Sequence, residues 1–282
     1  MRVINSVKLM RAAVSQIKSR NKKIGFVPTM GALHEGHCSL IRQSRRENEA
    51  TIVSIFVNPR QFGPKEDFLA YPRPEKKDIL LAKKEKVDII FRPSEKVMYP
   101  VGYLTSVLVE KLSDALCGQM RPGHFQGVAT IVAKLLNIVT PNRLYLGQKD
   151  AQQAIVLKRM ISDLNMPVAV KVCPIVRERD GLALSSRNVH LTDQQRRDAP
   201  ILFQSLLTAK KKILSGERNA AKIIRCVRET IQKQRAAEIE YIACVNAETL
   251  SPLPLLHGKI MVALAVKFGK TRLIDNMVTT VK

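Results

Sequence analysis

Apolar segments of β type alternate with helical segments through the first two thirds of the chain, and this alternation constrains the fold most. The apolar segments are KIGFVP, TIVSIFVN, VDIIFRP, RLYLG and VAVKVCPI. Such alternation predicts an α/β fold, a Rossmann-like parallel sheet with helices on both faces. Ligands of these sheets bind at the carboxyl ends of the strands. The turns after Val27, Val57, Leu146 and Ile175 are therefore expected to meet at one edge and form a site.

The pattern changes after Val176, where the polar loop ERDGLALSSRNVHLT begins. Helical stretches follow over about 193–213 and 219–235, and then three strand-like runs, IEYIACVN, KIMVALAVKF and TRLIDNMV. This order lacks the strand–helix alternation of a parallel sheet and favours a smaller α+β domain. We predict a Rossmann-like ligand-binding domain over 1–176 and a C-terminal α+β lid domain over 177–282.

Composition narrows the class of protein. A hydrophobic content of 45% and a charged content of 25% are typical of a soluble globular protein. The five cysteines form no CxxC pair, which favours reduced thiols and a cytoplasmic location. The net charge of +23 is spread over the chain, and there is no tryptophan. We therefore interpret the charge as a solvated surface, and expect neither a nucleic-acid nor a membrane partner.

Two histidines stand close together in the stretch FVPTMGALHEGHCSL. A strand up to Val27, a turn containing Pro28 and Gly31, and a helix from Glu35 are predicted here. Backbone N–H groups at such a helix start bind phosphate, and His34 and His37, one helical turn apart, would lie beside them. Two alternatives remain open: either histidine could cap the helix, or the pair could hold a metal ion.

Three further motifs carry polar side chains at the ends of predicted strands. NPRQF offers the amides of Asn58 and Gln61, which can donate to and accept from a ligand that carries hydroxyls and a carboxylate. GQKD places Lys149 at a helix start, where it suits phosphate, and Asp150 where it could equally cap the helix. The hydroxyls and guanidinium of LSSRN can surround phosphate oxygens.

The motifs VPTMGALHEGH, VSIFVNPRQFGPKEDFLAYPR, RPGHFQGVATIVAKL, GQKDAQQ and DGLALSSRN closely resemble, in order and spacing, those of the pantothenate synthetase (pantoate–β-alanine ligase) family. The resemblance covers essentially the whole chain. It implies a nucleotidyltransferase with an HxGH element that joins pantoate to β-alanine through a pantoyl-adenylate, and a first domain that binds nucleotide and pantoate. ATP is then a substrate, Mg²⁺ a cofactor, and AMP and pyrophosphate are released. A homodimer is also implied.

The resemblance assigns site residues. The implied catalytic residues are His34, His37, Lys149, Ser185, Ser186 and Arg187. The implied ATP contacts are Pro28, Thr29, Met30, Gly31, His34, Gly36, His37, Gly147, Lys149, Asp150, Val176, Leu184, Ser185, Ser186 and Arg187. The implied pantoate contacts are Met30, Asn58, Gln61 and Gln153. LSSRN corresponds to a mobile loop that closes over ATP.

The chain departs from the family at one position that matters for the metal. Some relatives carry adjacent acids where this chain has Lys77 and Asp78. Only Asp78 could then contribute a carboxylate, and Mg²⁺ would bind mainly through the ATP phosphates. Arg121 and His124 also match the family, either as substrate contacts or as residues that hold a neighbouring subunit. Two functional alternatives are another nucleotidyltransferase and, on charge alone, a nucleic-acid-binding protein.

Overall fold

The computed structural model describes residues 1–64 and 66–281. Lys65, within one of the family motifs, and Lys282, the last residue of the predicted second domain, lie outside the described residues. The chain divides into two compact units. The sheet unit comprises 1–114, 118–148 and 153–174. The C-terminal unit comprises 115–117, 149–152 and the chain from Ile175 onward.

The sheet unit is built on a six-stranded parallel sheet. Its strands are β1 (Arg2–Ile4), β2 (Ile24–Thr29), β3 (Ala50–Ile55), β4 (Ile89–Phe91), β5 (Arg143–Gly147) and β6 (Ala169–Cys173). The order across the sheet is β1-β4-β3-β2-β5-β6, and every neighbouring pair is parallel. The predicted Rossmann-like sheet is confirmed. β1 was not predicted, because its three residues include Arg2, whereas the equally short β4 is apolar throughout.

The strand order reverses between β2 and β5. From β2 the chain proceeds outward through β3 and β4, whereas β5 and β6 lie on the other side. β2 and β5 are direct neighbours, with Gly25 opposite Arg143 and Phe26 opposite Leu144. In open parallel sheets, a crevice for ligands forms at this switch point, outside the carboxyl ends of the strands. The HxGH turn follows β2 and the GQKD turn follows β5, so both motifs start at this point.

Helices follow most of these strands. They are α1 (Val7–Lys18), α2 (Glu35–Glu47), α3 (Glu75–Lys84), α4 (Glu95–Met98), α5 (Cys117–Met120), α6 (His124–Val139) and α7 (Ala151–Asp163). Two 3-10 turns, Pro59–Gln61 and Gln148–Asp150, carry the NPRQF and GQKD motifs. α6 is apolar on nearly every side and buries twelve of its sixteen residues, so it belongs to the core of the unit.

The C-terminal unit packs helices on a three-stranded antiparallel sheet. Its strands, β7 (Ala237–Asn246), β8 (Gly258–Phe268) and β9 (Thr271–Val281), pair in chain order. Its helices are α8 (Asp193–Asp198), α9 (Ile201–Leu214) and α10 (Ala220–Ile231), and a 3-10 turn spans Ser186–His190. One apolar core joins α9 and α10 to the sheet, as the predicted α+β domain requires.

Two details differ from the sequence-based expectation in this unit. The helix expected over about 193–213 is two helices, because Pro200 lacks the N–H that a continuous helix would need and instead begins α9 as its N-cap. The second helix ends at Ile231, about one turn early. None of the helices in the described part of the chain combines the length and apolar character that a bilayer crossing requires.

Candidate active site

The two histidines of the HxGH element form a reciprocal cap at the start of α2. His34 is the N-cap residue, and its Nδ1 accepts a hydrogen bond from the backbone N–H of Gly36 at 3.1 Å. In return, His37 Nδ1 accepts from the backbone N–H of His34 at 3.3 Å. The ring centroids are 4.2 Å apart. The two histidines lie close together, as expected. His34 precedes the helix instead of lying on it, and it caps the helix, which was one of the two alternatives.

This cap determines the tautomer of both rings. A neutral imidazole carries its proton on one nitrogen, and a nitrogen that accepts a hydrogen bond is the unprotonated one. Because both Nδ1 atoms accept backbone bonds, both protons lie on Nε2. Gly36 makes the arrangement possible, since a Cβ atom there would lie 2.8 Å from Cε1 of His34. The site thus holds two half-buried, preorganised Nε2–H donors at a helix N-terminus.

The turn that leads into the pair is itself supported by hydrogen bonds. Thr29 Oγ1 accepts from the backbone N–H of Gly31 at 3.1 Å and donates to the carbonyl of Ser54 at 2.7 Å. Asp78, buried on α3, accepts from the backbone N–H groups of Ala32 and Leu33. The turn is therefore anchored both within the sheet and from a separate helix.

The predicted amide pair of NPRQF lies in a buried network. Asn58 Nδ2 donates to Gln61 Oε1 at 3.2 Å and to the Gly127 carbonyl at 3.0 Å. Gln61 Nε2 lies 2.8 Å from Met30 Sδ, so three of the four predicted pantoate residues are brought together. Tyr99 completes the network by donating to Asn58 Oδ1 at 2.8 Å. Sequence reasoning missed Tyr99, because no motif or spacing marks it.

Gln153, the fourth predicted pantoate residue, is half-buried on the first turn of α7. Its neighbour Gln152 has a structural role: Oε1 accepts from the backbone N–H of Cys117 at 3.1 Å, and Nε2 donates to the carbonyl of Ala115. The two glutamines of DAQQ therefore differ in environment, and Gln153 is the one that retains exposed surface.

Arg121 and His124 support the NPRQF segment from within the same chain. Arg121 forms a two-pronged ion pair with Glu66 and donates to His124 Nε2 at 3.1 Å. His124 Nδ1 donates to the backbone carbonyl of Gln61 at 2.7 Å, since Nε2 is the accepting nitrogen. Burial alone would raise the pKa of the Glu66 carboxyl, but the hydrogen bonds and charge of Arg121 lower it overall. These contacts hold the backbone of Gln61 in place.

Lys149 and Asp150 lie in the 3-10 turn before α7. The backbone carbonyl of Lys149 accepts from Asn276 Nδ2 at 3.0 Å. Burial lowers the pKa of the Lys149 ammonium, and the Arg187 charge acts in the same direction, whereas Asp150 and Asp275 oppose them. Asp150 is exposed. The environment of Lys149 disfavours its charged form, so an anionic ligand would stabilise the Lys149 ammonium.

Asp275 and Asn276, both almost fully buried on β9, had no assigned role in the sequence. Asp275 accepts a two-pronged ion pair from Arg177 at 2.6 and 2.9 Å. The sequence contains one signal: both residues interrupt the strand-like run TRLIDNMV, and polar residues of this kind are rarely buried unless they are paired.

The LSSRN loop is anchored on both sides. The backbone N–H of Leu184 donates to the Val176 carbonyl at 3.0 Å, closing a short hairpin. Ser185 Oγ accepts from the backbone N–H of Arg187 at 3.2 Å, which caps the 3-10 turn. Ser185, Ser186 and Arg187 are half-buried together at this turn.

A side-chain network holds the base of this loop. Asn188 Nδ2 donates to Glu178 Oε1 at 3.1 Å. Arg196 pairs with Glu178 and with Asp180, each at 2.6 Å. Sequence reasoning missed Glu178 and Arg196, because their partnership spans eighteen residues and depends on how α8 returns to the hairpin.

Cys38, the cysteine nearest the histidine pair in the sequence, is 1% exposed on α2. Burial is the main cause that raises the pKa of its thiol, to about 11. A thiol protonated at neutral pH is a poor nucleophile. The described motifs therefore offer hydrogen-bond donors and cations for an anionic ligand, and the thiol beside the histidines is not an activated nucleophile.

Nucleotide-binding α/β enzymes typically have a parallel sheet whose strand order reverses at one point, with a helix start that carries preorganised hydrogen-bond donors beside it. The family model described as pantoate-beta-alanine ligase matches residues 2–278. The chain belongs to this pantoate–β-alanine ligase family.

A curated relative and two solved structures match this chain over nearly its full length. The pantothenate synthetase of Acetivibrio thermocellus is 53% identical over 281 residues, covering 100% of both chains. The crystal structure of pantothenate synthetase from Thermus thermophilus matches with a TM-score of 0.94 and 44% identity, covering 98% of this chain and 99% of that one. The Francisella tularensis ligase, complexed with beta-gamma ATP and beta-alanine, matches with a TM-score of 0.80 and 37% identity, covering 99% and 97%.

Proposed function

We propose that this chain condenses pantoate with β-alanine at the expense of ATP, giving pantothenate, AMP and pyrophosphate. The observation that carries the proposal is the reciprocally capped histidine pair beside the switch point of the sheet, in a chain of this ligase family. A solved relative from Francisella tularensis is described as a complex with an ATP compound and β-alanine, which supports the same substrates here.

The reaction proceeds in two displacements. A carboxylate oxygen of pantoate attacks the α-phosphorus of ATP, the bond to pyrophosphate breaks, and pantoyl-adenylate forms. The β-alanine amine then attacks the pantoyl carbonyl, the bond to AMP breaks, and the amine loses a proton. Adenylation is needed because a free carboxylate has no adequate leaving group. Negative charge builds up on the phosphate oxygens in the first step, and preorganised donors stabilise it.

His34 and His37 supply such donors through their Nε2–H groups, while the remaining turn residues contact the nucleotide. Lys149, Ser185, Ser186 and Arg187 bind phosphate oxygens by charge and hydroxyl donation. The proposed further ATP contacts are Pro28, Thr29, Met30, Gly31, Gly36, Gly147, Asp150, Val176 and Leu184.

Pantoate binds to the amide network. Gln61 is 8% exposed and Asn58 is 1% exposed, so a ligand group that replaces water at Gln61 enters a largely desolvated surface. Met30 supplies the apolar contact, and Gln153 the second amide. We propose no substrate contact for Arg121 or His124, whose polar groups support the Gln61 backbone.

Magnesium is proposed to enter with ATP. Among residues 1–64 and 66–281, no three His, Cys, Asp or Glu side chains are grouped to hold a metal ion. These described residues thus form no dedicated protein cage, and Mg²⁺ characteristically keeps waters and binds substrate phosphates. A homodimer and a cytoplasmic location are proposed from the family and from five buried, unbridged cysteines.

Isotope exchange tests the reaction. We expect the chain to exchange labelled pyrophosphate into ATP when pantoate and Mg²⁺ are present and β-alanine is absent, because adenylation precedes amine attack. Oxygen-18 in the pantoate carboxylate should appear in AMP after full turnover. Cys38→Ser should retain most of the exchange. A strict requirement for β-alanine, or a pantoyl group found on the protein by mass spectrometry, would contradict the proposal.

A further inference from the structure

Asp78 connects α3 to the turn that precedes the histidine pair. It is 2% exposed and lies in the first turn of α3. Its Oδ2 accepts from the backbone N–H of Ala32 at 2.9 Å, and its Oδ1 accepts from the backbone N–H of Leu33 at 2.7 Å. Each carboxylate oxygen is therefore directed at a backbone donor of the turn between β2 and α2.

That turn has an unfavourable backbone conformation. Gly31 has a φ of 84° and Ala32 a φ of 49°, so two successive residues are left-handed. The left-handed region costs a residue with a Cβ atom roughly 1–2 kcal/mol. Such a conformation persists only where surrounding contacts require it. The two bonds from Asp78 act on the residues just after the left-handed glycine and just before the His34 cap.

Two other roles for Asp78 are less consistent with these contacts. An acid in the first turn of a helix stabilises it through the helix dipole, but this needs neither burial nor an interaction with a distant turn. A magnesium ligand would need an accessible carboxylate oxygen, whereas Asp78 is 2% exposed and both of its oxygens accept backbone hydrogen bonds. The neighbouring Lys77 is exposed and carries the wrong charge.

We propose that Asp78 is a positioning residue, which holds the turn from Gly31 to Leu33 and thereby directs the imidazoles of His34 and His37 at the reacting phosphate. The expected effect of this residue on the reaction rate rests on the proposed adenylation. The position of the two imidazoles can be tested without an activity measurement. Asp78 itself touches neither substrate nor the reacting atoms in this scheme.

The test is Asp78→Asn, with the exposed Asp163→Asn on α7 as the matched control. An asparagine has one acceptor oxygen, and its NH₂ group opposes a backbone N–H, so one turn bond is lost. Pyrophosphate exchange should show kcat lowered about 10–100-fold. The KM for ATP and the Mg²⁺ concentration for half-maximal rate should change less than about threefold, because the interaction acts in the transition state.

Histidine NMR gives the second readout. The imidazole shifts of His34 and His37 should move in Asp78→Asn, while those of His190 and His257 stay in place. If the wild-type chain showed no exchange, the proposed function would fail, yet these shifts would still decide the positioning role. Unmoved shifts with wild-type kcat, or unmoved shifts with a raised Mg²⁺ requirement, would overturn the inference.

A second variant covers loss of folding. Should Asp78→Asn not fold, the same measurements apply to Asp78→Asn combined with Ala32→Gly. Glycine adopts the left-handed region at no steric cost. The double variant therefore loses a hydrogen bond between the turn and position 78, but no longer contains an alanine in this unfavourable conformation. The expected and contradicting outcomes are the same as for the single variant.

Discussion

At the scale of single residues, His34 combines a structural role with the proposed chemical role. Its Nδ1 caps α2, and the same bond places the proton on Nε2 in a defined direction. A capping interaction costs about 1 kcal/mol when it is lost, whereas a lost transition-state donor costs about 2.7–4 kcal/mol in rate. Substitutions can therefore separate the two roles.

We predict that His34→Asn lowers turnover by about 10²–10³-fold with little change in melting temperature. Asparagine is among the best N-cap residues, so it keeps the helix start but removes the imidazole. His34→Ala should lose a similar amount of turnover and, in addition, about 1 kcal/mol of stability. Pyrophosphate exchange and calorimetric unfolding measure the two effects. An active His34→Asn enzyme would show that the ring serves only as a cap.

The amide network predicts that substitutions of its glutamines weaken the binding of pantoate but not that of ATP. Gln61→Ala or Gln153→Ala should weaken pantoate binding by roughly 1–3 kcal/mol, because a buried ligand group loses its partner. ATP binding, followed by calorimetry, should be nearly unchanged. Gln126→Ala is the matched control, since that amide donates to the hydroxyl of the exposed Ser106. Equal losses for both ligands would mean that the glutamines support the fold.

At the scale of elements, the loop over 184–188 is held at its base and is polar at its tip. Glu178, Asn188 and Arg196 form the base, while Ser185, Ser186 and Arg187 lie at the 3-10 turn between them. A loop hinged on a rigid base can change its exposure when ligands bind, without unfolding the elements around it.

We predict that Arg187→Ala reduces pyrophosphate exchange by at least about tenfold, because a guanidinium that contacts phosphate is lost. Arg197→Ala, on α8, is the control of equal charge. In the wild type, trypsin cleavage after Arg187 should slow when ATP and pantoate are bound, as mass spectrometry of the fragments would show. Cleavage that is indifferent to ligands would contradict closure of the loop.

At the scale of the whole molecule, Glu47 links the end of α2 to β5 within the sheet unit. Tyr145, fully buried on β5, donates its hydroxyl to Glu47 Oε2 at 2.8 Å. This bond, followed by those from Gln43 and Arg143, lowers the pKa of Glu47 to about 2. The ionised form is therefore favoured by folding, and its stabilising effect exists above the unfolded pKa near 4.5.

We predict that Glu47→Gln lowers stability by about 1–2 kcal/mol at pH 7, after allowance for its partial exposure. The difference from wild type should shrink as pH falls from about 5 towards 2, because the carboxylate of the unfolded wild type takes up its proton near pH 4.5, whereas that of the folded protein does so only near pH 2. Calorimetric melting from about pH 7 to about pH 3 measures this. Glu229→Gln, an exposed position on α10, is the control. A difference that stayed constant over this range would refute the assignment.

The sequence by itself determined the fold class and the family. Strand–helix alternation predicted the parallel sheet, and long motifs in one order indicated a pantoate–β-alanine ligase; both are confirmed. These features are legible because hydrophobic periodicity and local turn chemistry depend on neighbours in the chain. RLYLG was predicted within its observed bounds for this reason, since a short apolar run bounded by polar residues and glycine has few other interpretations.

Only the tertiary structure decided what individual polar side chains contact. Asp78 is separated by 45 residues from Leu33, and Asn276 by 127 from Lys149, so no local pattern could pair them. Tyr99 contacts Asn58 only because the chain at the end of α4 returns to the amide network. Likewise, Arg121 and His124 contact the backbone carbonyl of Gln61 within one chain, which motif spacing did not predict. Long-range hydrogen bonds depend on how strands are ordered, and that order is a property of the folded sheet.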